Sequence, residues 1–283
     1  MQDTVSTSSP DRQSELLRHA PQSGPCLEIA PFHRPALRKG AFDVDYVDYT
    51  TTEDLRRKAP AGVSPDSVCE VDFIWHPGRR LRDCVLDGKQ YDFACASHVM
   101  EHVPNVLDWV QQILDVLKPG AVLQLALPEK DGCFDVFRRT TDFSEMLQTW
   151  VLESRTPTAG QIYDFLSHNV AVPPDEPGAP ATARPFGPAP AIENYTRYYT
   201  DDAAFHFAMK HFEEDTYMDT HCSVFTPESL VRAFSTAQRL GILNIEIAAP
   251  ISGWREFFVA FRKLGEPRVR REQFRRLGPP AVQ

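Results

Sequence analysis

No stretch of this sequence approaches the roughly 18 consecutive apolar residues that a membrane span requires. The opening MQDTVSTSSPDRQSELLRHA also lacks an apolar core of signal-peptide length. The six cysteines, Cys26, Cys69, Cys84, Cys95, Cys133 and Cys222, form no CxxC pair, so the usual zinc spacing is missing and no metal site is expected. Several of them lie in apolar runs, which points to buried, reduced thiols and a cytoplasmic location. Basic charge is not in excess: 30 Lys and Arg stand against 39 Asp and Glu, a net charge of −9. That argues against a nucleic-acid-binding body and for a small-molecule or saccharide substrate or a protein partner. No internal repeat is visible, and oligomeric state is not legible.

The 283 residues are 42% hydrophobic and 24% charged, as in an ordinary globular protein. Residues 1–22 are polar and read as loose, with one short helix around Ser14 to His19. Apolar runs follow: Cys26 to Ala30, Asp43 to Tyr49, Ser67 to Trp75, Tyr91 to Ser97, and Ala121 to Pro128. Between the last two, Val106, Val110, Ile113 and Leu117 recur at helical spacing, with Leu107 and Leu114 beside them, and Pro119-Gly120 closes the helix. Strands separated by helices or long loops indicate a parallel sheet with crossovers. Residues 23–133 therefore read as a core, 134–220 as a cap or insertion, 221–264 as the return to the core sheet, and 265–283 as a basic tail or surface helix. Within the cap, residues 171–190 carry seven prolines and read as a flap without regular structure. Thr226 is the expected cap of a helix with Pro227 in its first turn and Leu230, Phe234 and Ala237 on its buried face. ILNIEIA and EFFVAFRK read as an antiparallel edge pair.

In an open parallel sheet, ligands sit at the carboxyl ends of the strands. Glu28 ends the first strand, and Asp48 ends the second 20 residues later, a spacing at which a carboxylate can take both hydroxyls of a ribose. Asp72, with Phe73 beside it, suits an adenine. Ser97 and His98 close the fourth strand. The full Gly-x-Gly-x-x-Gly run is absent, which argues against a nicotinamide dehydrogenase.

These segments resemble the class I S-adenosylmethionine-dependent methyltransferases. CLEIAPFHRP resembles their first motif, YVDY their acidic second-strand end, YDFACASHVMEHVPN their fourth strand and turn, and ILDVLKPGAVLQLALPEK their next helix and fifth strand. The resemblance covers residues 25 to 130 and extends to DTHCSVFTPESL. The Pro-Phe-x-Arg-Pro form is similar to that of a bacterial type 11-like subgroup often linked to polysaccharide or sugar modification. It implies a Rossmann-like, doubly wound α/β fold: a mostly parallel seven-stranded sheet with an antiparallel edge strand and a helical and loop insertion before the last strands. It also implies S-adenosyl-L-methionine as cofactor, held by Glu28, Ala30, Pro31, Phe32, Asp48, Asp72, Phe73, Ser97 and His98. Ala30 and Phe32 stand where the family has glycine. Alanine suits the first place if its φ is negative, and the loop is expected to take a path of its own.

Methyl transfer to a hydroxyl needs a base. His98 and His221 are the candidates, while Glu101 and His102 are read as shaping the pocket. Lys130, Asp135, Arg138, Tyr163 and His221 are the candidates for the acceptor. The aromatics of the insertion, Tyr195, Tyr198, Tyr199, Phe205, Phe207 and Phe212, are read as the core of a small helical cap, with stacking on a sugar as the alternative. The expected activity is O-methylation of a small or glycan-linked acceptor. The competing expectation is an inactive methyltransferase fold that serves as a binding or assembly partner.

Overall fold

Four of the five apolar runs keep their place in the computed structural model, which describes residues 11–172, 182–183, 196–253 and 255–274. In chain order the elements are α1 (Arg12–Leu16), β1 (Pro25–Ile29), β2 (Asp43–Asp48), α2 (Thr52–Arg57), β3 (Phe73–Ile74), β4 (Tyr91–Ser97), α3 (Val106–Val116) and β5 (Leu117–Pro128). The insertion holds α4 (Phe143–Leu152), α5 (Ala159–His168), β6 (Val170–Val172), β7 (Thr182–Ala183), β8 (Thr196–Arg197) and α6 (Asp201–Glu214). Then come α7 (Pro227–Leu240), β9 (Ile245–Ile247), β10 (Ile251–Ser252) and β11 (Glu256–Lys263).

The main sheet runs β10-β11-β5-β4-β1-β2-β3, with β9 also on β11. Strands β1 to β5 pair in parallel, and β11 enters antiparallel beside β5. This is the Rossmann-like α/β order expected, with eight strands rather than seven among the described residues. The extra strand arises because the outer edge is broken at Ala248–Pro250: β9 pairs with one half of β11 and β10 with the other. β11 is therefore internal, and the expected edge pair has β9 alone at the rim. The third run is shorter than expected, and only Phe73–Ile74 pairs with β2. A 3-10 turn with Pro65 at its start occupies the beginning of that run.

Period-two alternation separates the two faces of the sheet. Leu27, Ile29, Leu123, Leu125, Leu127, Phe257, Val259 and Phe261 point to the face covered by α3, α4 and α7. There α3 buries Leu107, Val110, Ile113 and Leu114, and Asn105 Oδ1 caps it by accepting from Asp108 N–H. Thr226 caps α7 as the sequence indicates, and Leu230, Phe234 and Ala237 are buried together with Ala233. The opposite face carries smaller residues, Cys26, Cys95, Ala126 and Ala260, under Leu16 of α1 and Ala36 and Leu37. Its cover is thin because residues 30–42, which connect β1 to β2, contain no helix.

The cap is built on α5 against α6 through Ile162, Leu166, Ala204 and Ala208. Of the expected aromatic core only Tyr199 packs there; Tyr198, Phe205, Phe207 and Phe212 are exposed, because alanines at helical spacing let α5 and α6 approach closely. Tyr195 lies outside the described residues. So does most of the proline-rich flap, but Thr182–Ala183 departs from expectation by forming a strand on β6. The tail is described through Phe274, ending in a 3-10 turn. Among the described residues, no helix is long and apolar enough to cross a membrane.

Candidate functional site

The parallel strands deliver Ile29, Asp48 and Ser97 to one end of the sheet. Glu28 points to the thinly covered face and is buried. Its two carboxylate oxygens accept from Ala36 N–H and Leu37 N–H, each at 2.8 Å. Burial pushes its carboxyl up to about 7 against those two bonds. Glu28 thus closes a helix-free crossover whose backbone donors would otherwise lack partners. Both of its oxygens are engaged by its own loop, which corrects the expectation that it holds a cofactor.

Ala30 and Phe32 both adopt left-handed backbone, with φ of 52° and 48°. The expected negative φ at Ala30 is not found. Two non-glycine residues instead keep the conformation that favours glycine, at a cost of roughly 1 kcal/mol each. Pro31 between them is buried. The Phe32 carbonyl accepts from Cys69 N–H at 2.6 Å, and its ring meets His33 edge-on.

Asp48 is buried at the tip of β2, with Oδ1 2.7 Å from Tyr49 N–H. Burial raises its carboxyl to about 6. Asp72 has a different place from the one the sequence implied. It precedes β3, and its carboxylate accepts from Tyr46 N–H at 2.7 Å and from Lys39 Nζ at 2.6 Å. These bonds make it a clamp on β2. Phe73 is half-buried against the main core. An open groove of about 700 Å³ along the edge of β3 includes Asp72 and Phe73 but not Asp48.

The tip of β4 is where charged groups converge. His98, also left-handed at φ 55°, places Nε2 2.8 Å from Glu256 Oε2. Arg12 of α1 bonds both Ser97 Oγ and Glu256. Burial works against the Glu256 carboxylate, but His98 and Arg12 hold its pKa below the ordinary value. Neither Arg12 nor Glu256 carried a signal: one lies in a segment that reads as loose, the other at the start of a closing strand. The next residues form a 3-10 turn, Met100–His102. The Glu101 carbonyl accepts from Cys222 N–H and Ser223 N–H, which fastens the distant segment 219–225 to this turn.

His221 arrives by that fastening. Its Nδ1 bonds Asp135 Oδ2, and Asp135 Oδ1 accepts from Arg138 at 2.8 Å. Burial pushes the Asp135 carboxyl up, but His221 and Arg138 outweigh it and hold it at about 2. Arg138 is 3% exposed and also bonds Asp164 at 2.8 Å. Asp135 and Arg138 therefore form a buried support, which corrects their reading as acceptor-binding groups. Lys130 Nζ is turned back onto the Val136 carbonyl at 2.6 Å and onto Asp131. Tyr163 is at the surface of α5.

A family model described as a methyltransferase domain matches residues 15–238. The chain belongs to the methyltransferase domain family. Its fold is that of the class I S-adenosylmethionine-dependent methyltransferases, and S-adenosyl-L-methionine is the cofactor that goes with it. Among solved structures, the chain is similar to the CcbJ methyltransferase from Streptomyces caelestis, at 12% identity, 89% of this chain and 93% of that one, and a TM-score of 0.42. It is also similar to the glycopeptide N-methyltransferase MtfA complexed with sinefungin, at 14% identity, 89% and 94% coverage, and a TM-score of 0.40. A third is an S-adenosylmethionine-dependent methyltransferase from Clostridium acetobutylicum, at 9% identity, 85% and 84% coverage, and a TM-score of 0.42. A comparison with curated proteins finds no match.

The methyltransferase-domain residues fit the cofactor at two places. The buried Asp48 carboxylate stands at the second strand's tip, where a ribose is held in this fold. Ala30 and Phe32 keep the glycine-like backbone path beside it. Glu28 is engaged by its own loop.

Proposed function

We propose that this protein transfers a methyl group from S-adenosyl-L-methionine to a hydroxyl of a small or glycan-linked acceptor. The observation that carries the reading is the Glu256–His98 pair at the tip of β4. S-adenosyl-L-methionine, when bound, supplies an electrophilic methyl group on a sulfonium. Asp48 would hold the ribose hydroxyls, with the 30–32 backbone as the other part of the nucleoside site. His98, with 30% of its side chain exposed, is the base candidate that reaches solvent, whereas His221 is 4% exposed. His98, hydrogen-bonded to Glu256 through Nε2, is the group placed to take the acceptor's proton. Glu101 Oε1 stands 3.6 Å from Nδ1 of the same ring. His221, held by Asp135, acts as a positioning residue. Small-molecule or saccharide acceptors suit the acidic chain better than nucleic acid does.

Calorimetry with S-adenosylhomocysteine tests the cofactor site. Asp48→Asn is expected to weaken binding at least tenfold with the melting temperature within a few degrees of wild type; equal affinity removes the ribose assignment. His98→Ala is expected to lower kcat by about 10²–10⁴ with cofactor affinity intact; full turnover across pH removes it as base. One observation favours the runner-up, an inactive binding partner: Arg12 already occupies Ser97. Absence of any S-adenosylhomocysteine binding would remove the enzymatic reading and leave that one standing.

A further inference from the structure

We propose that Glu101, His102 and His221 form a binding site for one divalent transition-metal ion with zinc-like ligand preference. One potential ligand atom from each residue lies within 4.8 Å of the others. The sequence leads to the opposite expectation because no short ligand spacing joins His221 to the other two.

The first argument is an unmet demand. Glu101 is 2% exposed, and neither of its carboxylate oxygens has a hydrogen-bond partner. A buried carboxylate without partners costs several kcal/mol. Its neighbours stand just outside hydrogen-bond reach: His98 Nδ1 at 3.6 Å and His102 Nε2 at 3.9 Å. Ligand atoms about 2.1 Å from a tetrahedral ion are roughly 3.4 Å from one another. Within the proposed set, His102 Nε2 is 3.9 Å from Glu101 and all three ligand atoms lie within 4.8 Å of one another, so the side chains would draw together to share one ion.

The second argument is orientation. Each histidine around Glu101 has its outer nitrogen near another carboxylate, hydrogen-bonded in His221 and His98 and in short ionic contact without hydrogen-bond geometry in His102. His221 Nδ1 is on Asp135, His102 Nδ1 is 2.8 Å from Asp219 Oδ1, and His98 Nε2 is on Glu256. A carboxylate behind an imidazole fixes its ring and raises its basicity as a ligand. In His221 and His102 this leaves Nε2 for the centre. Arg138 and Arg12 pair with Asp135 and Glu256, whereas Glu101 faces the His98 and His102 rings.

Two imidazoles and one carboxylate suit zinc and its first-row neighbours, whereas magnesium and calcium prefer oxygen ligands throughout. Cys222 offers a poor alternative, because its sulfur is turned onto the carbonyls of His102 and Thr220. Resting on the methyltransferase reading, an ion here would hold an acceptor hydroxyl beside His98 and lower its pKa.

The test uses the full chain, stripped with a chelator and titrated with Co²⁺. One ion per chain is expected, with a visible absorption band from nitrogen and oxygen ligands and no thiolate charge-transfer band. Zn²⁺ should displace it and Mg²⁺ should not. Glu101→Gln, which removes the buried charge without changing shape, is expected to keep the fold and lose at least tenfold in Co²⁺ affinity. Should that variant fail to fold, His221→Asn carries the same comparison. No band, a thiolate band, or equal affinity in the folded variant overturns the proposal; in the first case Glu101 is paired with a protonated histidine instead. S-adenosylhomocysteine affinity of the stripped chain tests the methyltransferase reading separately.

Discussion

Replacing Glu28 with Gln isolates the clamp on the helix-free crossover. The side chains are nearly the same shape, and both oxygens of Glu28 accept backbone N–H groups. The folded carboxyl is raised from 4.5 to about 7. Between those values the native state keeps a proton that the unfolded chain releases, so ∂ΔG/∂pH is negative and stability falls as pH rises. Glu28's contribution is fully present below about pH 4.5 and is lost by the time pH passes 7. A rise of about 2.5 units corresponds to roughly 3 kcal/mol. Asp48 and Glu129, raised to about 6 and about 7 chiefly by burial, give the wild type further slope of the same sign. They are present in both proteins and cancel in the difference. At pH 5 the hydroxyl oxygen of the protonated carboxyl can still accept, whereas the amide sets its NH2 against one of the two backbone N–H groups, and the variant should be less stable than wild type by about 1–2 kcal/mol. At pH 8 the variant should have gained on wild type by roughly 2–3 kcal/mol. Urea unfolding at fixed pH gives both numbers, provided the m-values match. A difference that stays constant from pH 5 to pH 8 refutes the reasoning: Glu28 would then ionise as freely in the fold as in the unfolded chain.

The remaining expectations follow from the same geometry. Phe32→Gly releases left-handed strain of about 1–2 kcal/mol but adds unfolded-state entropy of about 0.5–1 kcal/mol, so the melting temperature should hold or rise slightly. Phe32→Val should lower it clearly; a Val variant as stable as wild type would mean that φ is not positive there. Asp135→Asn leaves Arg138 buried beside one neutral partner and should cost about 3–5 kcal/mol. Asp164→Asn, at the half-exposed end of the same guanidinium, should cost no more than about 1 kcal/mol. Similar losses in urea melts would show that Arg138 does not depend on Asp135.

By itself the sequence determined the periodic part of this protein. The apolar runs at β1, β2, β4 and β5, the stripe on α3 and the capped α7 were legible because burial imposes a spacing that local residues record. The acid at the second strand's tip was legible for the same reason, as was the cluster of His98, Glu101 and His102 within one turn. Tertiary structure decided the partners. Glu28 and Asp72 look like ligand-binding acids in the sequence, yet backbone N–H groups of a neighbouring loop and strand take them. Asp135 and His221 lie 86 positions apart and meet because a carbonyl at Glu101 fastens the later segment in place. Arg12 and Glu256 join the site from opposite ends of the chain. Periodicity reports which face a side chain turns to the core; the loop closures that decide which polar groups meet leave no such trace.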